Sequence, residues 1–320
     1  MEDLQVDTEW DGAFAEDIAI PTMRGGCDDT QRSPVSTSEP ARPDLPSGED
    51  DADALAKAPT SSLLAFRGVT GGVGVTSLAI EMAHVMAKSG RGDVCIIDLD
   101  FGSGMVSHYL DATVSPSLDD LRTEPHRLDR TFLQSLLFHH EAGFAVFASP
   151  GVMGGNDAVN TNSVLAALDT LANIFPVVIL DVPRLTRPWT EAALKAADRV
   201  CLVSELTIPA LHVTRQRIAA LNSWGIPKTD VVLSKYERRS FKASIRKGDA
   251  ERAIGQEVTG LLDLDPHVTV EAMNCGLPAG KVSRDSRYVK DVAALARELS
   301  PHFAERRSRE RVTKRWGRRG

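Results

Sequence analysis

From Ser61 onward, short runs dense in apolar residues alternate with longer stretches whose apolar residues recur every three or four positions. Segments 62–68 (SLLAFRG), 93–100, 143–149, 176–182, 198–204 and 230–236 predict strands. The first, second, fourth and fifth of these are almost uninterrupted in their apolar character. A strand with one wet face would alternate, so these four are expected to be covered on both faces. Segments 75–90, 162–175, 189–198 and 210–225 carry apolar residues at helical spacing and mostly end at Gly or Asp, which predicts helices. Strand and helix in alternation predict an α/β fold: a doubly wound, mostly parallel sheet with helices on both faces. The chain contains no internal repeat.

The pattern stops at both ends. Residues 1–60 carry 15 acidic against 4 basic side chains, with many Pro, Ser and Thr, and too few large apolar residues to offset the entropy of ordering. This stretch reads as a disordered acidic tail, 61–304 as the α/β domain, and 305–320 as a basic tail with 8 basic and 2 acidic side chains. In that last segment only Val312 and Trp316 are apolar, too little for a membrane-binding helix face. Its charge suits peripheral attraction to anionic lipid at the inner membrane, while nucleic-acid binding is not expected. No apolar run reaches the roughly 18 residues of a membrane span. The acidic start lacks the basic character of a secretion signal, so the expectation is a cytoplasmic protein. Cys27, Cys95, Cys201 and Cys275 form no CxxC pair, which argues against a zinc site.

Candidate chemistry begins where strand 62–68 runs through GVTGGVGVTS into a helix. Strand, glycine loop and helix in that order let backbone N–H groups and a helix N-terminus hold phosphate. The segment resembles the deviant Walker A loop of ParA/MinD-type P-loop NTPases, which implies nucleotide contacts at Gly71, Gly72, Val73, Gly74, Val75, Thr76 and Ser77. In that alignment Thr70 stands at the signature lysine, Val75 at the general P-loop lysine, and Thr76 at the magnesium-binding hydroxyl. Both cations are missing, and Arg67 is the only replacement close by in sequence. A P-loop lysine stabilises charge on the transferring phosphoryl group, so its loss implies weakened ATP–Mg binding and little or no hydrolysis.

Two later segments extend the resemblance. DLDFGSGMVSHYLD looks like the family's switch, which implies that Asp98 helps to organise Mg²⁺ and that Asp100 once positioned the attacking water. PVVILDVP ends in Asp181, matching the Walker B aspartate. Thr76, Asp98 and Asp181 are therefore the implied magnesium residues. The adenine-contacting asparagine of ParA and MinD is Ser234 here, which puts base recognition in doubt.

Further on, LDRTFLQSLLFHHEAGFAVFASPG, DVPRLTRPWTEAALKAADRVCLVSE and the closing Ala-x-Asn-x-Gly-x-Pro pattern resemble the CpaE/TadZ pilus-assembly branch, over about residues 62–303. That resemblance implies a homodimer that localises the Tad-type (Flp) pilus machinery, at a pole or peripherally at the inner membrane. The alternatives are an active MinD/ParA-type ATPase and a chromosome- or plasmid-partition protein. His139-His140-Glu141 reads as a solvated turn, and Trp189 as a packing residue at a helix start.

Overall fold

The computed structural model describes residues 61–90, 93–113, 125–148, 159–226, 229–237 and 245–299. The acidic segment 1–60 and the basic segment 305–320 lie outside the described residues.

Among the described residues the strands are β1 (Ser62–Gly68), β2 (Val94–Asp98), β3 (Phe138–His140), β4 (Phe144–Phe147), β5 (Val177–Val182), β6 (Arg199–Glu205), β7 (Thr229–Tyr236) and β8 (Gly260–Asp263). They form one sheet in the order β3-β4-β2-β5-β1-β6-β7-β8. Every pairing is parallel except β3 with β4. The four continuous apolar runs become β2, β5, β1 and β6, the centre of the sheet, and β1, β2 and β5 are buried at every residue. Burial on both faces explains why these strands show no alternation.

The helices are α1 (Val75–Lys88), α2 (Val106–Tyr109), α3 (Arg130–Ser135), α4 (Thr161–Ile174), α5 (Pro188–Ala196), α6 (Ile208–Ser223), α7 (Lys247–Ile254), α8 (Pro266–Cys275), α9 (Ala279–Val282) and α10 (Arg287–Leu299). They cover the sheet from both sides. Leu64 and Phe66 of β1 pack with Leu78, Met82 and Met86 of α1 and Val292 and Leu295 of α10. Leu63 and Ala65 point the other way, into Leu168 and Leu171 of α4, Leu194 of α5 and Leu221 of α6. Each fully buried Leu or Phe contributes roughly 1.5–3 kcal/mol relative to exposure, so the two layers anchor β1 from both faces. The predicted doubly wound fold is the observed one.

Two edge elements differ from the sequence expectation. Residues 138–140 form β3, and His140 is buried in it where a solvated turn was expected. His140 donates through Nε2 to the Gly276 carbonyl at 2.9 Å, accepts the Ala142 amide on Nδ1 at 3.0 Å, and stacks on Phe144. Those bonds fix a neutral ring, and burial holds its pKa below the usual histidine value. β8 likewise had no expected counterpart, because GLLD is four residues long. Trp189 packs as expected, buried against Phe101 with ring centroids 5.3 Å apart.

Along the sheet, strand order reverses beside β1, with β5 on one side and β6 on the other. In open α/β sheets the crevice outside the carboxyl ends at such a reversal is the ligand site. Here those ends carry Gly68, Asp98 and Asp181.

Candidate functional site

The glycine loop leaves β1 and enters α1 with its apolar residues pinned. Val69 and Val73 are buried, the Val69 amide donates to the Val203 carbonyl at 2.9 Å, and Gly71, Gly72 and Gly74 stay exposed. Gly72 (φ 69°) and Gly74 (φ 84°) adopt the left-handed region. A Cβ at either would meet nothing within 4 Å, so the requirement is conformational, not spatial. Gly74 is also the N-cap of α1, and no side chain caps the helix. The first N–H groups of a helix have no intrahelical partner, so an uncapped start beside an open loop favours an anion.

Opposite the loop stand two carboxylates. Asp98 and Asp181 are register partners on β2 and β5, so the parallel pairing sets them side by side. Thr76 Oγ1 donates to Asp181 Oδ2 at 2.7 Å, tying α1 to β5. Asp98 accepts the Asp100 amide on Oδ1 at 2.9 Å and the Val106 amide on Oδ2 at 3.1 Å. Gly104 allows this wrap, since a Cβ there would overlap Asp98 Oδ2 and the Asp100 carbonyl oxygen. Asp100 Oδ1 accepts the Ser103 amide at 3.0 Å, which shapes the same turn.

Burial, and then the charge of Asp181, pushes the Asp98 carboxyl well above its ordinary range. Burial also raises Asp181, to about 6. Two buried carboxylates whose negative charge is disfavoured, next to a hydroxyl, suit a cation that would compensate them. Among the described residues no three His, Cys, Asp or Glu side chains form a metal cage. Two carboxylates and a hydroxyl are the smaller donor set that suits Mg²⁺ when phosphate and water complete its shell. The residues therefore fit the group that the loop implies. Asp181→Asn keeps a side-chain oxygen for Thr76 but loses the charge. It is expected to lower the Mg²⁺-dependent part of ATP-analogue affinity about tenfold, read by titration with and without EDTA.

Loop and carboxylates line one cleft of about 540 Å³ that continues past Ser234 and Lys235 to Leu264, Pro266 and Met273. This size suits a small-molecule ligand. Ser234 donates to the Val73 carbonyl at 2.7 Å and lies 3.2 Å from the Ser204 carbonyl, so it braces the glycine loop against β6 and β7.

Arg67 does not supply the missing cation. It is buried, and Nη2 donates to the Arg184 carbonyl at 2.8 Å and to Thr186 Oγ1 at 2.7 Å, on the loop after β5. Being the residue before Gly68 on a strand packed on both faces, its side chain is committed beneath that loop. Burial, then the charge of Arg217, lowers its pKa to about 10, so it stays protonated near neutrality. The cations lining the cleft are instead Arg184 and Lys235. Sequence reading missed both. The only signal for Arg184 is a cation three residues beyond the strand-ending Asp181.

No family model matches the chain. It is 23% identical over 243 residues to the septum site-determining protein MinD of Thermotoga maritima, a match spanning 72% of this chain and 84% of that protein. The structure of a ParA family ATPase from Chlorobium tepidum superposes with a TM-score of 0.69 at 19% identity, covering 76% of this chain and all of that one (100%). MinD of Pyrococcus horikoshii, solved in complex with Mg-ADP, gives a TM-score of 0.64 at 17% identity, covering 75% and 96%. The fold is that of the ParA/MinD P-loop NTPases.

Proposed function

We propose that this protein is a cytoplasmic assembly and localisation factor for a Tad-type (Flp) pilus that binds ATP with Mg²⁺ weakly and turns it over slowly or not at all. The observation that carries the nucleotide part is a selective one. The Thr76–Asp181 bond and the buried Asp98 preserve a metal-compatible side, while Thr70 and Val75 leave the loop itself without a cation. Gly71 to Ser77 hold phosphate through amides in this reading, and Thr76, Asp98 and Asp181 hold Mg²⁺. Bound Mg²⁺ would neutralise phosphate charge. Asp100 keeps the water-positioning place of the switch in this reading, its Oδ1 accepting the Ser103 amide. The apolar stretch at Leu264, Pro266 and Met273 offers the base a surface without the usual asparagine.

The pilus assignment rests on the ordered CpaE/TadZ-like segments, including DVPRLTRPWTEAALKAAD and the Ala-x-Asn-x-Gly-x-Pro turn. It carries with it a homodimer placed at a pole or peripherally at the inner membrane. Among the described residues no helix is long and apolar enough to cross a membrane. Deleting the gene tests the assignment: loss of surface pili with unchanged cell division supports it, and normal piliation contradicts it.

A second reading, a working MinD/ParA-type ATPase, is favoured by one observation, the presence of Arg184 in the cleft. Substantial turnover that Asp100→Ala abolishes would decide for this reading.

A further inference from the structure

We propose that Arg184 is the phosphate-binding cation of this cleft, supplied by the loop after β5 in place of the lysines that the glycine loop lacks. The inference rests on the nucleotide reading above and names the residue that makes it physically workable. A triphosphate entering the loop would bring several negative charges beside Asp98, Asp100 and Asp181, so amides alone leave a large repulsion.

Arg184 stands where that repulsion has to be met. Its guanidinium lies against Gly71, with Cζ and Nη2 each 3.6 Å and Nη1 4.0 Å from the place a Cβ would occupy. Three guanidinium atoms at nearly one distance describe a planar group laid over the exposed loop. It lines the same cleft as Thr76 and Asp181. Among the described residues its side chain enters no hydrogen bond or ion pair. An exposed arginine over a glycine, with its donors uncommitted, is prepared for a phosphate, which its planar fork binds in a bidentate manner.

Position is secured from below. The Arg184 carbonyl and Thr186 hydroxyl both accept from buried Arg67, so the main chain carrying Arg184 is held by a guanidinium that cannot itself reach the cleft. Arg67 is thus a positioning residue, and the side chain of Arg184 can be replaced without breaking that anchor. Lys235, the other cation lining the cleft among the described residues, is already ion-paired to Glu205 at 2.8 Å.

The test is titration calorimetry of the full-length protein with Mg²⁺–ATPγS and with Mg²⁺–ADP, comparing wild type, Arg184→Ala and Arg184→Lys. Arg184→Ala is expected to weaken ATPγS about tenfold or more and ADP by less, with Arg184→Lys between. Unchanged ATPγS affinity in Arg184→Ala, with wild type binding, overturns the inference and leaves the nucleotide reading standing. Equal losses for both nucleotides with a lowered melting temperature overturn it in favour of a structural role. No binding by wild type at millimolar nucleotide overturns both.

Discussion

Val75→Lys is expected to tighten Mg²⁺–ATPγS binding between about tenfold and about a hundredfold, the scale of one charge-assisted contact in a partly desolvated site. The loop already has the path that a phosphate needs, through left-handed Gly72 and Gly74 and an uncapped start of α1. Only a cation carried by the loop itself is absent. Val75 is half-buried and folds back toward Gly68, where its Cγ2 lies 3.0 Å from the place of an added Cβ. A lysine stem could follow the same course and carry its ammonium on into the cleft that Val75 lines. Calorimetry at fixed ionic strength checks it. Equal affinity in variant and wild type would show that the loop does not hold phosphate as its geometry suggests.

Glu81→Gln is expected to stabilise the protein increasingly as pH rises, by on the order of 2 kcal/mol between pH 5 and 8. Glu81 is buried on α1, where Oε2 accepts the Gly280 amide at 2.8 Å and Oε1 has no partner. Burial raises its pKa from 4.5 to about 7, against the smaller opposing effects of the Gly280 amide and Lys88. The fold therefore favours the protonated acid. Below 4.5 there is no penalty; it grows through the window from 4.5 to about 7 and is complete above it. His84 beside it has the opposite sign, because burial lowers its pKa to about 4 and stability is gained as pH rises toward 6.5. Lys88, Lys281 and Tyr288 face the same cluster and are common to both proteins, so the difference between variant and wild type isolates Glu81. Urea unfolding across that range measures it, and a pH-independent difference would contradict the buried-acid account.

What could be read from the sequence follows from how much chain carries each signal. The central strands announced themselves because burial on both faces leaves no polar position, as in Val177–Val182. β3 and β8 did not, because three or four residues at a sheet edge cannot establish a period. His140 looked solvated beside exposed His139, and only the fold brings the Gly276 carbonyl, 136 residues away, to its Nε2. The loop, Asp98 and Asp181 were legible because each ends a strand in a fixed order. Arg184 was not. It reaches Gly71 through the pairing of β1 with β5, an apposition that no local spacing encodes. Arg67, the nearest cation in sequence, is instead bonded to the loop after β5, since adjacency to the glycine loop in sequence says nothing about the face on which a side chain leaves its strand.

The most direct measurement is equilibrium binding of Mg²⁺–ATPγS to the intact protein, with and without EDTA, beside an ATP turnover assay on the same preparation. A site that keeps its metal side and has lost its loop lysines gives saturable, Mg²⁺-dependent binding in the micromolar to millimolar range with turnover near background. Absence of binding at millimolar nucleotide, or turnover at the 1 s⁻¹ or faster of ordinary phosphoryl-transfer enzymes, roughly speaking, would contradict it.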